Sequence, residues 1–204
     1  MAARMRVSAA ILCGGQGRRM GGADKGQLAV AGQSFIDRQL EVLRPLTPHV
    51  MLVDRDHRRQ CPPGVRLVPD AVAHAGALGG IYSALDAAET DRVIIVACDM
   101  PFVTTEFLGY LVECATTDVV APVDAHRRHA LCGVFHRRVA PALKLLIDAG
   151  RLRVEAALAT LDVRDIRIDE IARFDPDGRL LLNVNTPQDY RRATGEDPQV
   201  TAFA

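Results

Sequence analysis

Between Gly14 and Lys25 the chain reads Gly14-Gly15-Gln16-Gly17-Arg18-Arg19-Met20-Gly21-Gly22-Ala23-Asp24-Lys25, with five glycines, two arginines and a lysine. Glycine has no Cβ, so backbone N–H groups in such a stretch can close around phosphate oxygens. Arg18, Arg19 and Lys25 add three fixed positive charges, a complement suited to a triphosphate. The stretch departs from the dinucleotide pattern G-x-G-x-x-G because position 20 is Met. It departs from the P-loop because Ala23-Asp24, not Lys-Ser/Thr, follows Gly22. Two carboxylates could work beside this loop. Asp99 directly follows the apolar run 93–98, so a rigid strand can present it to a ligand. Mg²⁺ favours that arrangement, taking one or two carboxylates and completing its shell with water and phosphate oxygens. Asp70 ends the segment Val65-Arg66-Leu67-Val68-Pro69 in the same way. Gly76-Ala77-Leu78-Gly79-Gly80 offers a second close backbone approach, suited to a flat base edge, just ahead of a helix. Taken singly, each feature also reads as a turn glycine, a surface arginine or a strand-end aspartate; it is the combination that points to a site.

The elements that position these residues follow from periodicity. Residues 8–13 form a nearly all-apolar run closed by glycines, as expected of a central, buried parallel strand. Similar strands are expected at 50–53, 65–68, 93–97, 119–123, 131–135, 163–168 and 180–184. Ser34 can cap a helix carrying Phe35, Ile36, Leu40 and Leu43, stopped by Arg44-Pro45. Further helices are expected at 78–88, from Thr104 or Thr105 to 113, at 138–148, at 153–160, and from Thr186-Pro187 to about 192. Strands alternating with helices imply a doubly wound, three-layer α/β fold with a mainly parallel sheet covered on both faces. Ligands in such sheets sit beyond the carboxyl ends of the strands. The loops at 14–25, 54–59, 69–80 and 98–101 should therefore converge.

Composition bounds the remaining possibilities. The 204 residues are 49% hydrophobic and 25% charged, with 25 basic and 25 acidic residues and zero net charge. That describes a foldable globular chain and argues against a general nucleic-acid binder. A single domain over 1–204 is expected, with 194–204 as a loose tail. No apolar run approaches the roughly 18 residues needed to span a bilayer, so neither membrane insertion nor a secretory leader is expected, and the cytoplasm is the expected compartment. Five scattered cysteines without a Cys-x-x-Cys pair are expected to be reduced. The tracts His57-Arg58-Arg59 and His126-Arg127-Arg128-His129 read as solvated surface in preference to an anion site. His126, His129 and Cys132 make the best zinc candidate, but no fourth ligand supports it.

Several segments together resemble a known family. Leu12-Cys13-Gly14-Gly15, followed by Arg18-Arg19-Met20-Gly21-Gly22-Ala23-Asp24-Lys25, is similar to the Leu-Ala-Gly-Gly…Arg-Met-Gly-Gly-x-Asp-Lys signature of the MobA-type molybdenum cofactor guanylyltransferases, within the nucleotide-diphospho-sugar transferase-like group. Cys98-Asp99-Met100-Pro101, Gly150-Arg151-Leu152-Arg153-Val154 and Asn183-Val184-Asn185-Thr186-Pro187 are similar to its later blocks. The likeness covers roughly residues 8–193. It implies transfer of GMP from GTP to the molybdenum–molybdopterin cofactor, with Mg²⁺, forming the guanine dinucleotide cofactor and pyrophosphate. Molybdoenzyme apo-proteins or their chaperones would be further partners. By the same resemblance Leu12, Cys13, Gly14 and Lys25 would contact the nucleotide and Asp70 its guanosine part; Gly15, Asp54, Gly76 and Gly79 are further nucleotide-side candidates. Asp99 would meet both nucleotide and Mg²⁺, Lys25 and Arg18 would serve the transferring and leaving phosphates, and Asn183 and Asn185 would face the pterin. Three positions depart from the pattern: Cys13 for Ala, Ala77 for Pro in Gly-Pro-Leu-Ala-Gly, and Asp54 where Asn is common. A cytidylyl homologue using CTP, or a non-catalytic cofactor carrier, are the competing readings.

Overall fold

Every residue of β1 (Val7–Leu12) is buried, which demands a strand on each edge and a layer on each face. The computed structural model, which describes residues 6–13, 29–30, 32–54, 61–72 and 74–195, supplies both. β4 (Val50–Asp54) and β6 (Arg92–Ala97) flank β1 in parallel register, and β5 (Val65–Pro69) adds beyond β4. Past β6 come β8 (Cys132–His136), β7 (Val119–Pro122) and β9 (Val163–Ile166), completing a seven-stranded sheet of order β5-β4-β1-β6-β8-β7-β9. β8 is antiparallel to both neighbours, and β7 pairs with β9 in parallel. The link from β7 to β8, residues 123–131, closes through a bridge between Val123 and Arg128; it is too short for the dozen or so residues a parallel crossover needs. Because β8 alone is reversed, the carboxyl ends of β5, β4, β1, β6, β7 and β9 open on one edge.

Alternating residues of β1 feed two cores, as the period of two in a strand dictates. Ala9 and Ile11 pack with α1 (Phe35–Leu43) and α3 (Thr105–Glu113). Ala10 and Leu12 pack with α2 (Gly76–Ala87), α4 (Ala140–Asp148) and α5 (Val154–Leu158). The result is the expected helix–sheet–helix arrangement. Helix starts carry hydroxyl caps: Ser34 accepts from the Asp37 N–H, Thr104 from Phe107 and Thr186 from Asp189. The last case opens α7 (Pro187–Thr194) with a proline in its first turn and a reciprocal capping box. No helix among the described residues is long and apolar enough to cross a membrane.

Three expectations need correction. Residues 180–184 are not a strand. Leu180 and Val184 are buried, but the segment's backbone is bonded locally and to Asp99, so burial without a ladder produced the apolar run. The strand expected over 163–168 ends at Ile166, and α6 (Ile168–Ile171) follows. α2 begins at Gly76 rather than Leu78, so the glycine-rich segment 76–80 is the opening of the helix, not a loop before it. A small antiparallel hairpin of β2 (Ala29–Val30) and β3 (Gln33–Ser34), not expected from periodicity, precedes α1. Tyr190 of α7 donates its hydroxyl hydrogen to the Ala29 carbonyl and stacks on Phe35, tying the last helix to that hairpin.

Candidate active site

The parallel register brings Asp70, Asp54, Cys13 and Asp99 in succession along the carboxyl edge. Asp54, the last residue of β4, stands opposite Pro69. The Cys13 N–H donates to the Val53 carbonyl (2.9 Å) and the Cys98 N–H to the Leu12 carbonyl (3.0 Å), carrying the ladder past the strand ends. Neighbouring strands lie about 4.8 Å apart, so Asp70 and Asp99, three strand steps apart, are separated by roughly 14 Å along the edge. One small ion cannot be shared between them, whereas a ligand with two distinct ends can meet both.

Asp99 sits half-buried on the turn after β6 and is held from two sides. From the helical layer, the Gln39 amide donates to the carbonyls of Ala97 (2.6 Å) and Met100 (3.2 Å), and Arg38 donates to Pro101 (3.2 Å). From the C-terminal segment, the Val184 N–H donates to the Asp99 carbonyl (2.8 Å), and Asn183 Nδ2 donates to Asp99 Oδ1 (3.0 Å). Arg127 in turn donates to Asn183 Oδ1 (2.7 Å). Gln39 was missed in the sequence, although a lone amide on the buried stripe of α1, 1% exposed, was a signal.

On the other half of the edge, the Ser83 hydroxyl donates to the Gly79 carbonyl (2.8 Å), accepts from the Ala71 N–H (2.9 Å) and lies 3.3 Å from Asp70 Oδ1. The Gly79 N–H is spent on the Ala75 carbonyl (3.2 Å). It is therefore not offered to a base edge, contrary to the reading of 76–80 as an open loop. What remains there is the N-terminus of α2, which has no side-chain cap and whose first-turn N–H groups lack helical acceptors. Leu12 and Cys13 are each 7% exposed. The Asn185 N–H donates to Asp189 Oδ2 (3.0 Å). Gly14, Gly15, Arg18, Arg19 and Lys25 lie outside the described residues, as does the tract at 57–59.

The zinc candidate does not assemble. Cys132 is fully buried in β8, where burial pushes its thiol up to about 12. His129 Nε2 donates to Asp124 Oδ2 at 2.6 Å. That bond, joined by the N–H groups of His126 and Arg127, holds the Asp124 carboxyl far below the usual carboxylate range. Arg128 forms a two-pronged pair with Asp165 (2.6 and 2.8 Å). Among the described residues no three His, Cys, Asp or Glu side chains gather as a metal cage. Asp99, a single carboxylate oriented by an amide, instead fits the sparse protein ligation that Mg²⁺ accepts when phosphates and water supply the rest.

A mostly parallel sheet whose carboxyl edge carries Asp70 against the first turns of α2 at one end and Asp99 at the other is the frame of a nucleotidyltransferase, and that is the class of this enzyme. The chain belongs to the MobA-like NTP transferase domain family, whose model matches residues 9–163. It is 34% identical over 195 residues, covering 90% of this chain and 97% of the relative, to a probable molybdenum cofactor guanylyltransferase of Methanothermobacter thermautotrophicus. A protein of the same description in Flavobacterium johnsoniae is 31% identical over 178 residues, covering 86% and 90%. Among solved structures, molybdopterin-guanine dinucleotide biosynthesis protein A from Archaeoglobus fulgidus superposes with a TM-score of 0.78 at 27% identity, over 92% of this chain and 97% of that one.

Proposed function

We propose that the enzyme transfers GMP from GTP to the molybdenum–molybdopterin cofactor, releasing pyrophosphate and forming the guanine dinucleotide cofactor. The observation that carries the reading is Asp99, whose turn is held by Gln39 on one side and by Asn183 and Val184 on the other, where a donor and an acceptor would meet. The names of the relatives support the same substrates. Nucleotidyl transfer needs no side-chain nucleophile; catalysis comes from placing the acceptor phosphate in line with the α-phosphorus and offsetting the developing charge. Asp70 and the first turn of α2 serve the guanosine end. Lys25 and Arg18, assigned from the sequence, carry the positive charge for the transferring and leaving phosphates. Asp99 would hold Mg²⁺, which when bound supplies further charge neutralisation on the phosphate oxygens. Asn185 and the outer face of Asn183 belong to the pterin half, and apo-molybdoenzymes or their chaperones would take the product. The cytoplasm, where the five cysteines would stay reduced, is the setting.

Steady-state turnover with GTP and CTP at equal Mg²⁺ and acceptor concentrations tests this. GTP is expected to be preferred at least about tenfold, or roughly 1.4 kcal/mol in transition-state binding. A folded Asp99→Ala variant is expected to lose turnover. Equal or better efficiency with CTP would move the enzyme to cytidylyl transfer, and absence of pyrophosphate release with either nucleotide would leave a carrier.

A further inference from the structure

Of the tract His126-Arg127-Arg128-His129, two side chains are spoken for: His129 by Asp124 and Arg128 by Asp165. Arg127 is different. Its side chain is exposed, yet its Nη2 donates to the Asn183 oxygen at 2.7 Å, across 56 residues of sequence. The backbone beneath it is clamped. The N–H groups of His126 and Arg127 both donate to Asp124 Oδ1 (2.7 and 2.8 Å), and the Asp124 N–H donates to the Arg127 carbonyl (3.1 Å). The His129 N–H donates to Pro122 (2.8 Å), and the ring of His129, almost wholly buried, pins Asp124 from inside.

A carboxamide has two unlike ends, an accepting oxygen and a donating NH₂. With Arg127 donating to the oxygen, the NH₂ end of Asn183 must face Asp99 Oδ1, as it does. The opposite rotamer would set NH₂ against guanidinium and oxygen against carboxylate, two repulsive contacts in place of two bonds. The sense of the amide, and with it the donor it turns toward Asp99 Oδ1, is thus set by the Arg127 guanidinium.

We propose that Arg127 is a positioning residue which, acting through Asn183 and braced by the Asp124–His129 clasp, orients the Asp99 carboxylate for the metal-bound triphosphate. The proposal rests on the nucleotidyl-transfer reading above. Direct hydrogen-bond partners of metal ligands typically matter by 10–100-fold in metal affinity or activity; Arg127 stands one bond further out, so the low end of that range applies, and an effect relayed through one amide must vanish once that amide is removed.

The test is a double-mutant cycle on the full chain with Arg127→Ala, Asn183→Ala and the double variant, plus Arg127→Lys. It is read by Mn²⁺ affinity from electron paramagnetic resonance, with and without GTP, and by kcat and KM for each substrate. Arg127→Ala is expected to weaken Mn²⁺ binding and lower kcat, each by about tenfold. Arg127→Lys should recover most of the loss, and the double variant should match Asn183→Ala alone. Additive losses, a change confined to acceptor KM, or unaltered Mn²⁺ affinity in Arg127→Ala would overturn the proposal. If the wild-type protein turned over no GTP, the substrate reading would fail, while the Mn²⁺ cycle would still decide whether Arg127 and Asn183 are coupled.

Discussion

Two adjacent glycines of α2 should respond to the same substitution with opposite signs. A Cβ added at Gly79 would lie 2.7 Å from the Ala75 Cβ, 3.2 Å from Asp70 Oδ1 and 3.4 Å from the Val72 carbonyl oxygen. The first distance is about 1 Å inside ordinary carbon–carbon contact, and neither β-carbon can move without its backbone. Overpacking of this kind costs about 1–3 kcal/mol, offset by roughly 0.5–1 kcal/mol from replacing a helical glycine with alanine. Gly79→Ala should therefore destabilise by up to about 2.5 kcal/mol, near 1 in the middle of the range, lowering Tm by up to roughly 10 °C in a chain of this size. At Gly80 the added Cβ meets, among the described residues, only the Leu12 methyl carbons at 3.6 Å. Gly80→Ala should consequently gain roughly 0.5–1 kcal/mol from the helix term alone. Because the Gly79 clash also pushes on Asp70, that variant alone should show a raised KM for GTP. Urea unfolding and nucleotide kinetics on the two variants are the assay. If both shift stability in the same direction, the packing of α2 against Asp70 is not as described.

Asp124→Asn should reveal an acid-side contribution to stability. The folded-state carboxyl lies below its ordinary value of 3.8, so its stabilisation is complete above that value and is lost as pH falls through the folded one. The variant should be less stable than wild type at neutral pH, and the difference should shrink below pH 3.8; a difference that stays constant on acidification would contradict the His129 clasp. Lys25→Ala should reduce turnover more than Arg19→Ala, since one of two adjacent arginines must point away from the phosphates. Equal rates in the two variants would show that the glycine-rich stretch is held differently.

What could be read from the residues was what local patterns encode. The all-apolar run of β1, the hydroxyl caps at Ser34 and Thr186, and the carboxylates at the ends of β5 and β6 each carry their information within a few positions. Residues 180–184 misled for the same reason: a run that is apolar because Leu180 and Val184 are buried looks like a strand, whereas the missing ladder partner is a tertiary fact. The start of α2 was misplaced because glycines at 76, 79 and 80 argue against a helix. Gly79 is there because no side chain fits between Ala75 and Asp70. Least legible was the chain Arg127–Asn183–Asp99, which spans 84 residues and has no periodic signature. A basic tract reads as surface until the amide it grips is known.

The contact between Asn183 and Asp99 also sets an order of events during synthesis. The segments that make β5, β4, β1 and β6 have all been translated by Ala97, so the donor half of the edge can pair as soon as they emerge. Asn183 is added 84 residues after Asp99, a delay of roughly 4 to 17 seconds at about 5–20 residues per second. Through that interval the Asp99 carboxylate exists without the amide that orients it, and α7 has not yet been made to fasten the hairpin ahead of α1. A ribosome-bound chain therefore carries the β5-β4-β1-β6 half of the edge before the segment that braces Asp99 exists, and the two meet only once that C-terminal segment docks.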